Sequence, residues 1–213
     1  MIFTVGHSTL TADEFVRLCY PLDLVLDVRS HPTSRWEQFR KENMEVWLPE
    51  LGGVEYQWLP ELGGWTARDM PDAEFFAGQG VDVAAYSRGQ FPKQRIAPDR
   101  PAGEGPAWTN QGLYDYAWYT TRPAFWAGIG ALIGLGEAQN VGIMCAEVLW
   151  WKCHRSMVAD ALWWKGVDCV HLQPRPRHHS LCGVEQRIAR YPPAVLESWG
   201  ERAPAQREEI WQS

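Results

Sequence analysis

The residues with the greatest chemical capacity lie close together in the second half of the chain. Cys145-Ala-Glu147 is followed shortly by Cys153-His154-Arg155. Residues 140–146 form a short apolar run typical of a buried strand, and residues 156–165 have helical spacing. An acid, two thiols, an imidazole and a guanidinium would then meet at one strand end, where open α/β folds bind ligands. Because a helix start also offers free N–H groups, the sequence predicts a reactive or anion-binding site there.

The segments that would position this site alternate between strands and helices. Residues 2–5 and 22–28 are predicted to be buried strands, and the helix between them begins with a capping box at Thr11 and ends before Pro21. Such a unit favours a parallel strand pair. The later predicted elements are a helix over 40–51, a strand over 54–59, helices within 112–137, a strand over 141–146, a helix from His154 and a strand over 168–172. The predicted fold is a single α/β domain with a mainly parallel central sheet flanked by helices.

Two segments depart from this alternation. Residues 65–112 are rich in Gly, Pro and Asp and are long for a connection within a compact domain. We therefore expect a lid or insertion there, with a short helix over residues 73–78. Residues 173–213 are polar and proline-rich, and we expect an irregular C-terminal extension with short helices. The composition suggests no domain boundary, so the predicted domain spans residues 1–213.

The bulk composition favours a globular protein, with 46% hydrophobic and 22% charged residues. No apolar run reaches transmembrane length, and the first residues do not have the pattern of a signal peptide. We therefore expect a cytoplasmic protein without a membrane partner. The chain has 5 cysteines, an odd number whose spacing suggests no secreted disulfide framework. Cys19 and Cys169 lie in apolar runs and are expected to be core residues.

Charge and aromatic content bear on the choice of partner. The net charge of −6 argues against generic nucleic-acid binding. Residues 175–190 are strongly basic, however, and are expected to form a solvated tail, with phosphate contact as the alternative. The chain also contains 13 tryptophans, of which Trp36, Trp58 and Trp65 are candidates to stack on bases or sugars. A tryptophan-rich core or a partner interface is the alternative explanation.

Several short motifs follow the predicted strands in order. Gly6-His7-Ser8 follows the first strand, Asp27-Val-Arg29-Ser30 the second, and Leu59-Pro-Glu61-Leu-Gly63-Gly64 the third. Together with the Cys145 and Cys153 motifs, this set resembles the domain of unknown function 488 family over residues 2–172. The resemblance implies a parallel α/β domain with polar residues gathered at the strand ends. Some small members of this kind look like base-excision enzymes that act on modified DNA.

Three residues are candidates for catalysis. Asp27 and Glu147 would form a carboxylate pair across neighbouring strand ends, the usual equipment for hydrolysis of a glycosidic bond. Asp27 could instead pair with Arg29, and Glu147 could instead accept hydrogen bonds from backbone N–H groups. His7 could act as an acid or base, or could contact phosphate.

The remaining candidates would bind substrate. Arg29 and Arg155 are expected to hold phosphate groups, and Arg35 could add a contact to the backbone of a nucleic-acid substrate. The full predicted set is Ser8, Arg29, Ser30, Arg35, Trp36, Trp58, Glu61, Trp65, Cys145, Cys153, His154 and Arg155.

The cysteines allow two further interpretations. Cys153, at a helix start beside His154 and Arg155, would have a lowered pKa and could be a nucleophile. Cys145, Cys153, His154 and Cys182 could alternatively hold zinc, but their spacing is not a recognised zinc pattern. The sequence therefore predicts no metal and no cofactor.

Three functions remain open at this point. The first is hydrolysis of an N-glycosidic bond by a DNA glycosylase-like enzyme that excises a modified base, in phage defence or DNA repair. Its partner would be DNA with modified bases or a nucleotide-like small molecule. The second is cysteine-dependent, rhodanese-like sulfur transfer, which thiol alkylation would abolish. The third is a non-catalytic module that binds nucleotides or nucleic acid.

Overall fold

The computed structural model describes residues 1–64 and 111–203, which build a six-stranded sheet in the order β3-β2-β4-β1-β5-β6. The strands are β1 (Ile2–Gly6), β2 (Leu24–Asp27), β3 (Glu55–Trp58), β4 (Val141–Cys145), β5 (Val170–His171) and β6 (Arg177–His178). Strands β1 to β5 pair in parallel, and β6 pairs antiparallel with β5. The predicted α/β fold with a mainly parallel sheet is therefore confirmed.

Seven helices accompany the sheet in the described residues. They are α1 (Ala12–Leu18), α2 (Lys41–Gly52), α3 (Gln111–Tyr119), α4 (Pro123–Ala138), α5 (Arg155–Trp164), α6 (Val184–Ile188) and α7 (Pro193–Ser198). Short 3₁₀ turns occupy Glu37–Phe39, Pro60–Leu62, Trp150–Lys152 and His179–Leu181. The predicted capping box at Thr11 is present, with Glu14 bonding back to the Thr11 backbone. Among the described helices, none combines the length and the hydropathy of a membrane span.

Strands β1, β2 and β4 are buried along almost their whole length because helices cover both faces of the sheet. Successive side chains of a strand point to opposite faces. Ile2 thus belongs to the core shared with helices α4 and α5, whereas Phe3 belongs to the core shared with α1 and α2. Cys19 and Cys169 are buried in these two cores, as predicted.

The parallel register places the ends of three strands side by side. Gly6 at the end of β1 lies opposite Cys145, and Asp27 at the end of β2 lies opposite Met144. The backbone N–H of Ser8 then donates to the Ala146 carbonyl at 2.9 Å, and the loops after β1 and β4 remain joined beyond the sheet. This register brings the motifs that follow the strands to one edge, as the sequence predicts.

One predicted segment lies mostly outside the described residues, and another needs correction. The predicted insertion over 65–112 lies outside the described residues except at its end, where Gln111 and Gly112 belong to helix α3. The basic segment 175–190 is not a solvated tail, because His179 is fully buried and Arg187 is largely buried. Their shared partner is Asp160 of α5, an acid that can compensate both donors inside the core.

Asp160 is the last member of a buried series of hydrogen bonds that begins at strand β1 of the sheet. It accepts from His179, whose Nδ1 lies 3.0 Å from Nε2 of His171. His171 in turn contacts the Thr4 hydroxyl at 2.8 Å and stacks on Trp150 with ring centroids 3.8 Å apart. Although burial would raise the pKa of Asp160, Arg187 and His179 hold that pKa well below its usual range. This series of hydrogen bonds joins strand β1 to the C-terminal segment.

We expect unfolding to depend on pH because of His171. Burial, together with the charge of His179, lowers its pKa to about 2. The unfolded chain therefore binds a proton that the folded chain excludes, and stability falls as pH drops below about 6.5. This histidine should account for about 2 kcal/mol of the loss in unfolding free energy between about pH 7 and about pH 5.

Urea unfolding at the two pH values tests this assignment. His171→Asn should remove most of that contribution from the pH dependence. His31→Gln, at an exposed position, is the matched control and should leave the dependence as in the wild type. An identical pH dependence in the wild type and in His171→Asn would show that His171 does not titrate as described.

Candidate functional site

A cavity of about 560 Å³ lies at the carboxyl ends of β1, β2 and β4. Its walls come from the loops after β1, β2, β3 and β4 and from the start of helix α3. The lining residues are Ser8, Ser30, Gly63, Gly64, Gly112, Leu113, Asp115, Tyr116, Cys145, Ala146, Glu147, Lys152, Cys153 and His154. Six of the predicted site residues therefore share one cavity, of a size typical for small ligands. They are Ser8, Ser30, Cys145, Glu147, Cys153 and His154.

Two thiols and one imidazole meet at this cavity. The Nδ1 atom of His154 lies 3.7 Å from Sγ of Cys153 and 4.0 Å from Sγ of Cys145. Cys153 is 4% exposed, and Cys145 is partly buried. Their short separation follows from the fold, because Cys145 ends β4 and Cys153 directly precedes the first turn of α5.

His154 is oriented by a hydrogen bond on its far side. Its Nε2 atom lies 2.9 Å from the carbonyl oxygen of Val28. Because a carbonyl only accepts, Nε2 carries a proton, and Nδ1 is directed at the thiols. The ring also packs on Tyr116, with centroids 4.8 Å apart. Burial would lower the pKa of His154, but the neighbouring Cys153 and the bond to Val28 raise it, which favours the imidazolium form.

Arg155 supports Cys153 from the core side. Its guanidinium is 1% exposed, and Nε donates to Sγ of Cys153 at 3.4 Å. Nη2 donates to the backbone carbonyl of Glu147, which ties the helix start to the loop after β4. The cation was predicted to hold a phosphate group of the substrate, but the structure places it beneath the cavity as a partner of Cys153.

These contacts shift the pKa values of the two thiols in opposite directions. Burial would raise the pKa of Cys153, but the hydrogen bond from Cys145 and the cations His154 and Arg155 together lower it well below its usual value. The pKa of Cys145 is raised well above its usual value, first by its bond to Cys153 and then by burial. These opposite shifts favour ionisation of Cys153 before Cys145.

The three cluster atoms are also close enough to one another to meet around one soft metal ion, since they lie within 4.8 Å. Arg155 and His154 already supply positive charge to Cys153, however. The Cys153 sulfur therefore already has cationic partners among the side chains of the protein.

Asp27 lies in a different environment from Glu147. It is fully buried, and its carboxylate accepts from Nε and from the backbone N–H of Arg29. The hydroxyl of Tyr56 donates to its second oxygen at 2.7 Å. Asp27 is not among the residues that line the cavity. The structure thus shows the ion pair with Arg29 that the sequence left as an alternative, and it does not bring Asp27 and Glu147 together in the cavity.

Arg29 and His7 also lie behind the cavity wall. Arg29 donates to the carbonyl of Thr33 at 3.1 Å and so fixes the loop after β2. The His7 ring stacks on Phe39 with centroids 4.1 Å apart, and its Nδ1 contacts the backbone carbonyl of Ser8. Burial and the charge of Arg29 lower the pKa of His7 to about 4, so the ring is neutral at physiological pH.

Glu147 is exposed and lines the cavity. Its Oε1 atom accepts from the backbone N–H of Leu149 at 3.3 Å. The hydrogen bond from a backbone N–H that the sequence left as an alternative is therefore present, and Glu147 also lines the cavity.

The predicted aromatic walls lie away from this lining. Trp36 and Trp58 are 39% and 37% exposed, and each has a cation over its ring, Arg35 and Lys41 respectively. Neither tryptophan lines the cavity. Trp65 lies outside the described residues.

Other residues of the cavity could not be assigned from the sequence. Tyr116 forms a wall, and its hydroxyl donates to the carbonyl of Leu62 at 2.6 Å. Lys152 adds an exposed cation. Glu61 contributes its backbone carbonyl to Tyr119. Nothing in the sequence around Tyr116 signals its contact with the loop after β3.

A family model described as Domain of unknown function DUF488 matches residues 19–74 and 81–162. The matched ranges contain Asp27, Arg29 and the whole Cys145-to-Arg155 segment. Neither the curated proteins nor the solved structures contain a match to the chain.

The absence of a side chain at Gly6 leaves room for the Arg155 guanidinium, and a substitution at Gly6 can test this close packing. A Cβ at Gly6 would collide with the Glu147 carbonyl and would lie 2.9 Å from Nη2 of Arg155. Gly6→Ala should therefore displace Arg155, lower the unfolding free energy by about 1–3 kcal/mol and slow alkylation of Cys153.

Gly130→Ala is the matched control, because a Cβ there meets open space within helix α4. It should raise the unfolding free energy by up to about 1 kcal/mol and leave the Cys153 alkylation rate unchanged. Equal alkylation rates and equal stabilities in both variants would refute the proposed close packing. Urea unfolding and mass spectrometry of the alkylated protein provide the two readouts.

Proposed function

The chain belongs to the family described as Domain of unknown function DUF488. Because this description assigns no activity, we propose a function from the geometry of the cavity. We propose that the protein is a cysteine-dependent enzyme in which Cys153 is the nucleophile. One observation carries this proposal: Nε of Arg155 and Nδ1 of His154 both contact Sγ of Cys153 at the cavity wall. A thiolate held by two cations is the reactive form of cysteine.

In this proposal the roles of the side chains follow from their contacts. Cys153 attacks an electrophilic atom of a small molecule held in the cavity. His154, which has a proton on each ring nitrogen, releases the Nδ1 proton to the leaving group. Arg155 lies beneath the sulfur and keeps it ionised. The Val28 carbonyl holds the imidazole in place, as the third member of nucleophile–base groups does in other enzymes.

The cavity also suggests the general nature of the substrate. Ser8 and Ser30 provide hydroxyl groups, and Lys152 provides a cation near the thiols. The cavity is of a size suited to a small molecule and has few apolar walls beyond Tyr116 and Leu113. We propose sulfur transfer or a related thiol reaction on a small polar substrate. Asp27 and Arg29 contribute by fixing the loop that carries Ser30.

A second candidate function is hydrolysis of an N-glycosidic bond in DNA with modified bases or in a nucleotide-like molecule. The observation in its favour is the Glu147 carboxylate, which borders the cavity beside hydroxyl groups. Such a carboxylate could activate water. The burial of Asp27 in its ion pair with Arg29 removes the second carboxylate from the cavity, and the net charge of −6 weakens a case for DNA. This candidate therefore ranks second.

Selective alkylation tests the leading proposal. Iodoacetamide should modify Cys153 before the other cysteines, and its rate should change little between about pH 8 and about pH 6.5. An ordinary thiol with a pKa near 8.5 would slow on the order of 20-fold over this range, because its thiolate fraction falls. Peptide mapping by mass spectrometry identifies the modified residue. Cys182→Ser is the matched control, since Cys182 lies outside the cluster and burial raises its pKa.

The same modified protein separates the two candidate functions. Duplex DNAs carrying normal, damaged and hypermodified bases are incubated with untreated protein, alkylated protein and Glu147→Gln, and alkali-labile abasic sites are measured. Abasic sites that survive alkylation but disappear in Glu147→Gln would favour the glycosidic hydrolase. Slow, unselective alkylation of Cys153 with a strong pH dependence would contradict the thiol proposal.

A further inference from the structure

We propose that Cys145 is a second redox-active thiol, and that the protein reduces small disulfides by closing an intramolecular disulfide between Cys145 and Cys153. The inference rests on the proposed role of Cys153 as nucleophile and extends it to a substrate class.

The two sulfur atoms already occupy neighbouring positions. They lie within 4.8 Å of each other, and both residues line the cavity. A disulfide has an S–S length of about 2.05 Å, so closure needs a relative displacement of less than about 3 Å. His154 lies beside both sulfurs, at 3.7 and 4.0 Å, and can exchange a proton with either.

The surroundings of Cys145 differ from those of the structural cysteines. Cys19 and Cys169 are buried among core side chains and do not line the cavity. Cys145 instead lies at the cavity wall beside Cys153 and His154. Any sulfur group that becomes attached to Cys153 would therefore have a second thiol within reach, and an intramolecular attack is strongly favoured over a bimolecular one.

The proposed reaction has two displacement steps. In the first, the Cys153 thiolate attacks one sulfur of a disulfide R–S–S–R′, the substrate S–S bond breaks, and R′–S⁻ leaves. In the second, Cys145 loses its proton and attacks Sγ of Cys153, and R–S⁻ leaves as the Cys145–Cys153 disulfide forms. The protein loses two electrons, and the substrate gains them.

The protons also balance within the cluster. One of the two released thiolates takes the proton of Cys145. The other takes the Nδ1 proton of His154, which is left as neutral imidazole with Nε2–H still bonded to Val28. Arg155 takes no part in these proton transfers. A thiol reductant of the surroundings would return the centre to its starting state by the reverse exchange.

The test uses the full chain and glutathione disulfide as the probe. Reduced wild-type protein is incubated with the probe, quenched with acid and analysed by intact mass and by peptide mapping without reduction. We expect the loss of two hydrogen atoms, a linked Cys145–Cys153 peptide pair and release of two glutathione molecules per chain. Cys145→Ser should stop at a glutathione adduct on Cys153, with one molecule released. Cys182→Ser should behave as the wild type.

The outcomes separate this inference from the function on which it rests. A stable glutathione adduct on Cys153 in the wild type would overturn the role of Cys145 while leaving Cys153 as the nucleophile. An unmodified Cys153 in both proteins, with neither a glutathione adduct nor a linked pair, would overturn both. Protection of the thiols by added zinc, with a linked pair absent after zinc is chelated, would likewise overturn the disulfide. Circular dichroism of Cys145→Ser checks that the variant is folded.

Discussion

The arrangement of the site depends on one buried cation, the guanidinium of Arg155 at the start of helix α5. It donates to the carbonyl of Glu147 and to Sγ of Cys153, and so it joins the end of β4 to the beginning of the helix. A buried guanidinium is costly unless its donors are satisfied and its charge has a partner. The pKa of Cys153 is lowered well below its usual value, which favours an ionised sulfur as the charge partner of Arg155. The close approach is possible because Gly6 has no side chain.

A second buried ion pair supports the neighbouring strand end. Asp27 and Arg29 pair at the end of β2, and Tyr56 on β3 donates to the same carboxylate. The Arg29 side chain also holds the Thr33 carbonyl, so the loop after β2 has a fixed course past the cavity. The Val28 carbonyl in this loop then receives Nε2 of His154. The ion pair behind the wall thus contributes to the orientation of the imidazole within it.

Much of this arrangement could be predicted from the chain alone. Apolar runs ending in polar motifs indicate strands, and parallel pairing places their ends at one edge. That reasoning brought Ser8, Ser30, Cys145, Glu147, Cys153 and His154 to one site. It could not decide which way a side chain turns after its strand ends. Asp27, His7 and Arg29 have the same residue types as catalytic groups, but each finds its partners behind the wall, in Tyr56, Phe39 and Thr33.

The other features that the sequence could not predict have similar physical causes. Tyr116 reaches the cavity through a tertiary contact with Leu62, which no local pattern encodes. Asp160, His179 and Arg187 form a buried network because the C-terminal segment folds back on α5, whereas their composition alone suggests a solvated basic tail. Burial and partner choice are properties of the packed chain. Sequence patterns therefore predict the edge of the sheet better than they predict the individual roles of the residues there.

The ultraviolet absorbance of the Cys153 thiolate, titrated against pH as the difference between wild type and Cys153→Ser, tests the central claim most directly. The account predicts that this difference persists well below the usual cysteine pKa of about 8.5, and that its midpoint rises when Arg155 is replaced by Gln. A midpoint near or above 8.5 in the wild type, unchanged in Arg155→Gln, would contradict the account.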